Sequence, residues 1–237
     1  MIRSLVFVAG LVGSTVLDTA RLLWASIRRV PSGPGSPYEL IPRQWARRLL
    51  ERAGIAVRVT GREQLDGLGT CIYCANHVSL IDPGALVDSV PGRVRFVAKR
   101  SLFRVPVFGT ALRITGQIPV DRGNRDAALD SFADAAKILR DGVSAAIFVE
   151  GTRSRDGALQ PFKKGAFVLA ISLQAPCVPV YIAGARDLMP KGTGLVPQPG
   201  TVEVRFGAPI PTVGMTYEDR DVLRERCWQA MRALATG

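Results

Sequence analysis

One histidine, four cysteines, five lysines and an aromatic share of 7% are a thin supply of specialised side chains for a chain of 237 residues. Each shortage removes a class of explanation. With His77 alone, no histidine-based metal cluster can be assembled. Cys71, Cys74, Cys177 and Cys227 are too few, and too apolar in their settings, for the disulfide framework of a small secreted protein. Cys71 and Cys74 do form a C-x-x-C, but no second pair completes a zinc site. In "TCIYCAN" they sit on a strand pattern, where residues three apart face opposite sides, as two buried thiols would. Aromatics are sparse and no recognition helix or stacking signature accompanies the basic residues, which argues against nucleic acid as a partner. There is no internal repeat and no low-complexity tract. The uncharged run at the amino end, Ser4 to Leu17, falls short of the ~18 to 20 residues that span a bilayer.

What is present in excess is positive charge. Lysine and arginine number 31 against 20 acidic residues, a net charge of +11, while 47% of the chain is hydrophobic. A dense array of phosphates, whether on nucleic acid or on an anionic membrane surface, is the matching partner, and charge by itself does not choose between them. The length suits one α/β domain, with or without a short appendage.

The appendage is the amino end. In "MIRSLVFVAGLVGSTVLDTARLLWASIRR" the residues Ser14, Asp18, Arg21 and Arg28 share one helical face and apolar residues fill the rest. This pattern fits a helix lying in a membrane interface, with Trp24 and the Arg28-Arg29 pair near the headgroups; the alternative is an ordinary amphipathic helix packed on the domain. "PSGPGSP" (31–37) then forms a hinge, which divides the chain into a membrane-associating segment, 1–37, and a main domain, 38–237. A second helix is expected over Ile41 to Ala53, with Pro42 in its first turn and Gly54 ending it. Strand-like runs follow at 55–60, 71–75, 94–98, 115–120, 145–150, 177–183 and 201–206, with helical patterns over Asp126 to Asp141, Lys164 to Gln174 and Glu218 to Ala235. Alternating strands and helices predict an α/β fold with a mainly parallel central sheet flanked by helices.

The candidate chemistry gathers where strands end. "CANHVSLIDP" reads as a strand ending near Ala75, a turn over Asn76 to Ile81, and a helix opening with Asp82 near its N-cap and Pro83 at its first position. In such a turn Asp82 can reach a ring nitrogen of His77 and orient it as a general base; the bland alternative is a capped helix and a histidine that fills a turn. Lys99, Arg122 and the run Glu150-Gly151-Thr152-Arg153-Ser154 each follow a strand pattern, so they fall on the same carboxyl edge as His77. Several cations converging there suit a phosphate-bearing substrate, with Arg153 the best placed for bidentate contact.

These stretches resemble a known family. "NHVSLID", "GQIPVDR", "FVEGTRS" and "VPVYI" (178–182) are similar, in order, to the four motifs of the 1-acylglycerol-3-phosphate acyltransferases and their glycerolipid acyltransferase relatives. "VAKRSLFRVPVFG" and "FKKGA" resemble the intervening segments, and the similarity spans about residues 50 to 210. Val149 departs from the proline many relatives carry before the glutamate. The resemblance implies transfer of a fatty acyl group from acyl-CoA or acyl-carrier protein to the sn-2 hydroxyl of a lysophospholipid, giving phosphatidic acid, with no metal and no organic cofactor. It implies His77 as base with Asp82 behind it, and Asn76, Ser79, Lys99, Arg122, Glu150, Gly151, Thr152, Arg153 and Ser154 around the substrates. Amides of the turn from Asn76 to Ser79 are candidate donors to the oxyanion. Glu150 either bonds glycerol oxygens or holds Arg153. An acyl-enzyme through Cys74 or Ser79 is conceivable, although the resemblance implies direct attack by the acceptor. The expected location is the cytoplasmic face of the cell membrane, on anionic lipid. Another lyso-lipid or glycerol 3-phosphate as acceptor, a hydrolase, and a non-catalytic lipid-binding protein are the alternatives.

Overall fold

In the computed structural model, which describes residues 2–121, 135, 136, 139, 142–194 and 196–237, seven strands form one sheet in the order β1-β7-β6-β2-β5-β3-β4. They are β1 (Ile55–Thr60), β2 (Ile72–Ala75), β3 (Val94–Lys99), β4 (Ile118–Val120), β5 (Ser144–Phe148), β6 (Cys177–Ala183) and β7 (Gly200–Phe206). All neighbours run parallel except β6 and β7. The central strands are apolar on both faces, as a sheet covered on both sides requires. One face packs under α2 (Pro37–Ala53) and α3 (Asp82–Ser89), the other under α5 (Gly165–Leu173) and the C-terminal α7 (Arg220–Thr236). Two short helices, α4 (Phe108–Ile114) and α6 (Ala185–Leu188), complete the described set.

Two expectations shift. The second helix begins at Pro37, not Ile41, because Pro37 supplies the fixed φ of a first turn and Glu39 accepts the Gly35 N–H at 2.9 Å. Pro42 is therefore inside the helix, which ends as expected at Gly54 with φ 73°. The strand expected over 115–120 is only Ile118–Val120, since Thr115 closes α4 and Gly116 turns with φ 68°. The helix expected over Asp126 to Asp141 lies mostly outside the described residues.

The first helix, α1 (Ile2–Ile27), is long and apolar enough to cross a membrane. Its inward face mixes apolar and polar residues: Phe7, Leu22 and Ala25 are buried, while Arg21 and Arg28 of the expected polar face stay exposed. Ser14, Asp18 and Thr19 are buried against the domain, where Asp18 pairs with Arg48 and Thr15 accepts the Trp45 indole N–H at 3.0 Å. Leu5, Val6, Val12, Val16, Leu17, Trp24 and Ile27 face outward.

Candidate active site

Strand β2 lies between β5 and β6, so its carboxyl end opens at the point where the strand order reverses, the usual crevice of such sheets. Register brings Ala75 level with Phe148 of β5 and Val180 of β6, and the chain then turns through residues 76–81. Asn76 extends the ladder with its side chain: its amide donates to Ile182 O at 3.0 Å and its Oδ1 accepts the Ile182 N–H at 2.7 Å.

His77 comes next. Its Nδ1 lies 2.7 Å from Asp82 Oδ2, and that same oxygen accepts the amides of Val78 and Ser79, each at 2.7 Å. Asp82 is fully buried as the first residue of α3, not its N-cap; the carboxylate turns back to cap the preceding turn instead of the helix. An oxygen that already accepts two amides receives a third proton from Nδ1–H, which leaves Nε2 as the acceptor nitrogen. Phe148 stacks on the ring at 4.0 Å between centroids and 18° between planes, fixing its orientation from the other side.

The turn amides do not serve as free donors. The Asn76 N–H goes to Val180 O, that of His77 to Glu150 Oε1 at 3.3 Å, and those of Val78 and Ser79 to Asp82. An oxyanion would have to find its donors elsewhere. Ser79 Oγ is equally committed, donating to Met189 O at 2.8 Å and accepting from Ile81.

Glu150 follows β5 and is buried, with Oε2 lacking a partner among the described residues. Burial pushes its carboxyl up to about 8, against the pull of hydrogen bonds from the His77 and Gln160 backbone. Next to it Gly151 adopts φ 75°, which a side chain would strain while meeting Lys163 at 3.3 Å. Ser154 N–H donates to His77 O at 2.7 Å, so the loop after β5 is stitched to the histidine turn. Ser154 Oγ serves its own loop through Asp156 at 2.8 Å. Arg153 forms no ion pair with Glu150 or another described residue, so its guanidinium is available. Lys99 is exposed at the end of β3 on the same edge. Arg122 lies outside the described residues.

A largely apolar cavity of about 260 Å³ runs from His77 and Phe148 between α1, α2, α3, α4 and β3. Leu22, Trp45, Val87, Phe96 and Phe108 line it, Glu39, Arg43 and Arg95 bring charge to the wall, and Lys99 and Leu102 stand where it meets solvent.

With this geometry in view the comparisons are specific. The family described as "Acyltransferase" matches residues 56–183, more than half of the chain. The chain belongs to the acyltransferase family. It is 32% identical to the 1-acyl-sn-glycerol-3-phosphate acyltransferase alpha of Homo sapiens, over 75% of this chain and 63% of that one. It is 35% identical to the chloroplastic 1-acyl-sn-glycerol-3-phosphate acyltransferase BAT2 of Brassica napus, over 64% of this chain and 44% of that one. The matches thus span less than two thirds of the length of these relatives. The crystal structure of the 1-acyl-sn-glycerophosphate (LPA) acyltransferase PlsC from Thermotoga maritima superposes with TM-score 0.78 at 26% identity, covering 100% of this chain and 98% of that one.

In this member of the acyltransferase family all four cysteines are free and buried. Cys74 is fully buried on the sheet face opposite Val78 and Ile81, 3.9 Å from Cys177. Bonding to Cys177 and Cys227, together with burial, pushes its thiol well above the ordinary range, so it is a protonated and enclosed nucleophile. No group of three or more potential metal ligands occurs among the described residues. Sequence reasoning missed two supports of the site. Phe148 stood in the third motif and on a strand pattern, but neither gave it a role beside the histidine. Lys191 carries no motif, yet its Nζ donates to Arg153 O at 2.6 Å and reaches Thr152 Oγ1 at 3.4 Å, pinning the loop that presents the guanidinium.

Proposed function

We propose that this acyltransferase moves a fatty acyl group from acyl-CoA or acyl-carrier protein to the sn-2 hydroxyl of 1-acylglycerol 3-phosphate, giving phosphatidic acid. The observation that carries this reading is a histidine held by a buried carboxylate at one end of an apolar cavity, with unpaired basic side chains on the same edge. Nε2 takes the acceptor's hydroxyl proton as the oxygen attacks the thioester carbonyl. The tetrahedral intermediate collapses, the carbon–sulfur bond breaks, and the proton passes from the imidazolium to the departing thiolate. Arg153, Lys99 and Arg122 hold the acceptor's phosphate. Glu150, protonated near neutral pH, has its second oxygen free to bond a glycerol or carbonyl oxygen, which favours that role over holding Arg153. Asn76, Ser79, Gly151, Thr152 and Ser154 keep the two turns in register around the substrates. The apolar cavity takes the acyl chain.

The reading extends to location. The outward apolar face of α1 favours seating in a membrane, with residues 1–37 as the associating segment and 38–237 as the acyltransferase domain. The cytoplasmic face of the cell membrane, where acyl donors are made, is the natural side. Thiol release from a long-chain acyl-CoA, with and without lysophosphatidic acid, tests the reaction. Acceptor-dependent release should fall about 10²- to 10⁴-fold in His77→Ala. Full activity in that variant would remove the base from the mechanism.

A further inference from the structure

Between β3 and α4 the chain forms a short, outward-pointing loop. The 3₁₀ turn Arg100–Arg104 leads into Val105, Pro106 and Val107, and Leu102, Val105 and Val107 are 39%, 44% and 38% exposed. Three large apolar side chains in six residues of surface loop are unusual company for water. The backbone is spent on keeping them there: Val107, a β-branched residue, adopts φ 64°, a conformation such residues rarely accept. Gly109 is what lets the loop fold back this tightly, since a Cβ there would lie 2.3 Å from Phe103 O.

Two neighbours say what the loop faces. Exposed Lys99, Arg100 and Arg104 flank the apolar tips, the arrangement of side chains that sink into acyl chains beneath a layer of anionic headgroups. The loop also continues the surface of α1. It packs on α4, whose Ala111 and Ile114 meet Leu22 and Ala25 of α1, and α1 turns Leu17, Leu23, Trp24 and Ile27 outward. Leu102 and half-exposed Leu80 line the cavity as well as the surface, so the opening to His77 lies beside this apolar rim.

We infer that the loop from Lys99 to Val107 is a second membrane-inserting element, which seats an anionic bilayer against the cavity mouth so that an acyl chain passes between leaflet and cavity without crossing water. The inference rests on the membrane-surface reading of the enzyme, and it assigns the contact to a segment remote in sequence from α1. All four native cysteines are buried, so an introduced surface cysteine can be labelled alone.

The test uses full-length protein carrying an environment-sensitive fluorophore at Val105→Cys, at Leu17→Cys on α1, or at Gln229→Cys on the C-terminal helix, with vesicles of phosphatidylcholine containing phosphatidylglycerol. The label at 105 should shift to the blue and be quenched by lipids brominated on their chains, while the label at 229 stays aqueous. A shift at 17 with none at 105 would overturn the loop's role and leave membrane binding by α1 intact. Silence at both positions would sink both. As a second arm, Leu102→Asn/Val105→Asn/Val107→Asn should lower vesicle partitioning about tenfold at an unchanged melting temperature. Arg100→Glu/Arg104→Glu should erase about as much of the preference for anionic over neutral vesicles. Partitioning unchanged in both variants refutes the proposal.

Discussion

The two turns that meet at the crevice bury a carboxyl group each and treat it differently. After β2, Asp82 gathers three short hydrogen bonds on one oxygen. After β5, Glu150 is bonded more loosely, by the His77 amide at 3.3 Å and by the Gln160 backbone, and burial drives its carboxyl up to about 8. In the first turn the amides of residues 76–79 all have partners, although Asp82 Oδ1, like Glu150 Oε2, is buried without one among the described residues. The second is stitched by Ser154 and Lys191 and leaves an oxygen and a guanidinium uncommitted. A base needs fixed geometry, whereas groups that grip a substrate need vacant bonding capacity. The difference matches the proposed roles, a base held in position on one side and substrate-gripping groups on the other.

The comparison is broken most severely at Asp82. Asp82→Asn removes the charge that orients the imidazole, and kcat should fall about 10²-fold or more with little change in acceptor KM, measured by thiol release. Activity within about twofold of wild type would mean the locked turn is scaffolding alone. On the other side, Lys191→Met frees the Arg153 carbonyl. The acceptor KM should rise about tenfold while the donor KM holds, the equivalent of one charge-assisted hydrogen bond. In an Arg153→Ala background the same change should add little, and an additive effect would detach Lys191 from that arginine.

Glu150 sharpens the contrast through pH. Its folded value, about 8, lies above the ordinary 4.5, so the neutral form is favoured by folding. Stability from this group is complete below about 4.5 and is lost as pH rises through about 8, a slope amounting to the order of a few kcal/mol. Thermal unfolding between about pH 5 and 9 should show that decline in wild type and a flatter profile in Glu150→Gln. Equal slopes would assign the decline to other groups. The smallest effect is expected at Cys74→Ala, which removes a buried thiol behind the sheet. Activity should stay within about twofold while stability drops by about 1 kcal/mol.

Much of the architecture was legible along the chain because strand and helix periods are local properties. The runs at 55–60 and 177–183 became β1 and β6 with unchanged bounds, and the Cys71/Cys74 pair landed on opposite faces of the sheet as the alternation requires. Element ends were less legible. Pro37 and Pro42 offer equal local signals for a first turn, and the Gly35 to Glu39 bond that decides between them depends on how the hinge folds.

At the site, the spacing of His77 and Asp82 permitted the contact, and the strand-end positions of Lys99 and Glu150 put them on one edge. The sequence by itself determined the α/β class, the family, the candidate base with its orienting carboxylate, and the basic residues placed at strand ends. These follow from periodicity, from charge and from short-range spacing, all of which act within a few residues. The tertiary structure alone decided where bonding capacity remained. It spent the amides of residues 76–79, brought Phe148 under the imidazole and Lys191 under the Arg153 loop, and buried Ser14, Asp18 and Thr19 of α1 against the domain while leaving many of its apolar side chains outward. Hydrogen-bond satisfaction and burial are settled among groups distant in sequence, so no local pattern records them.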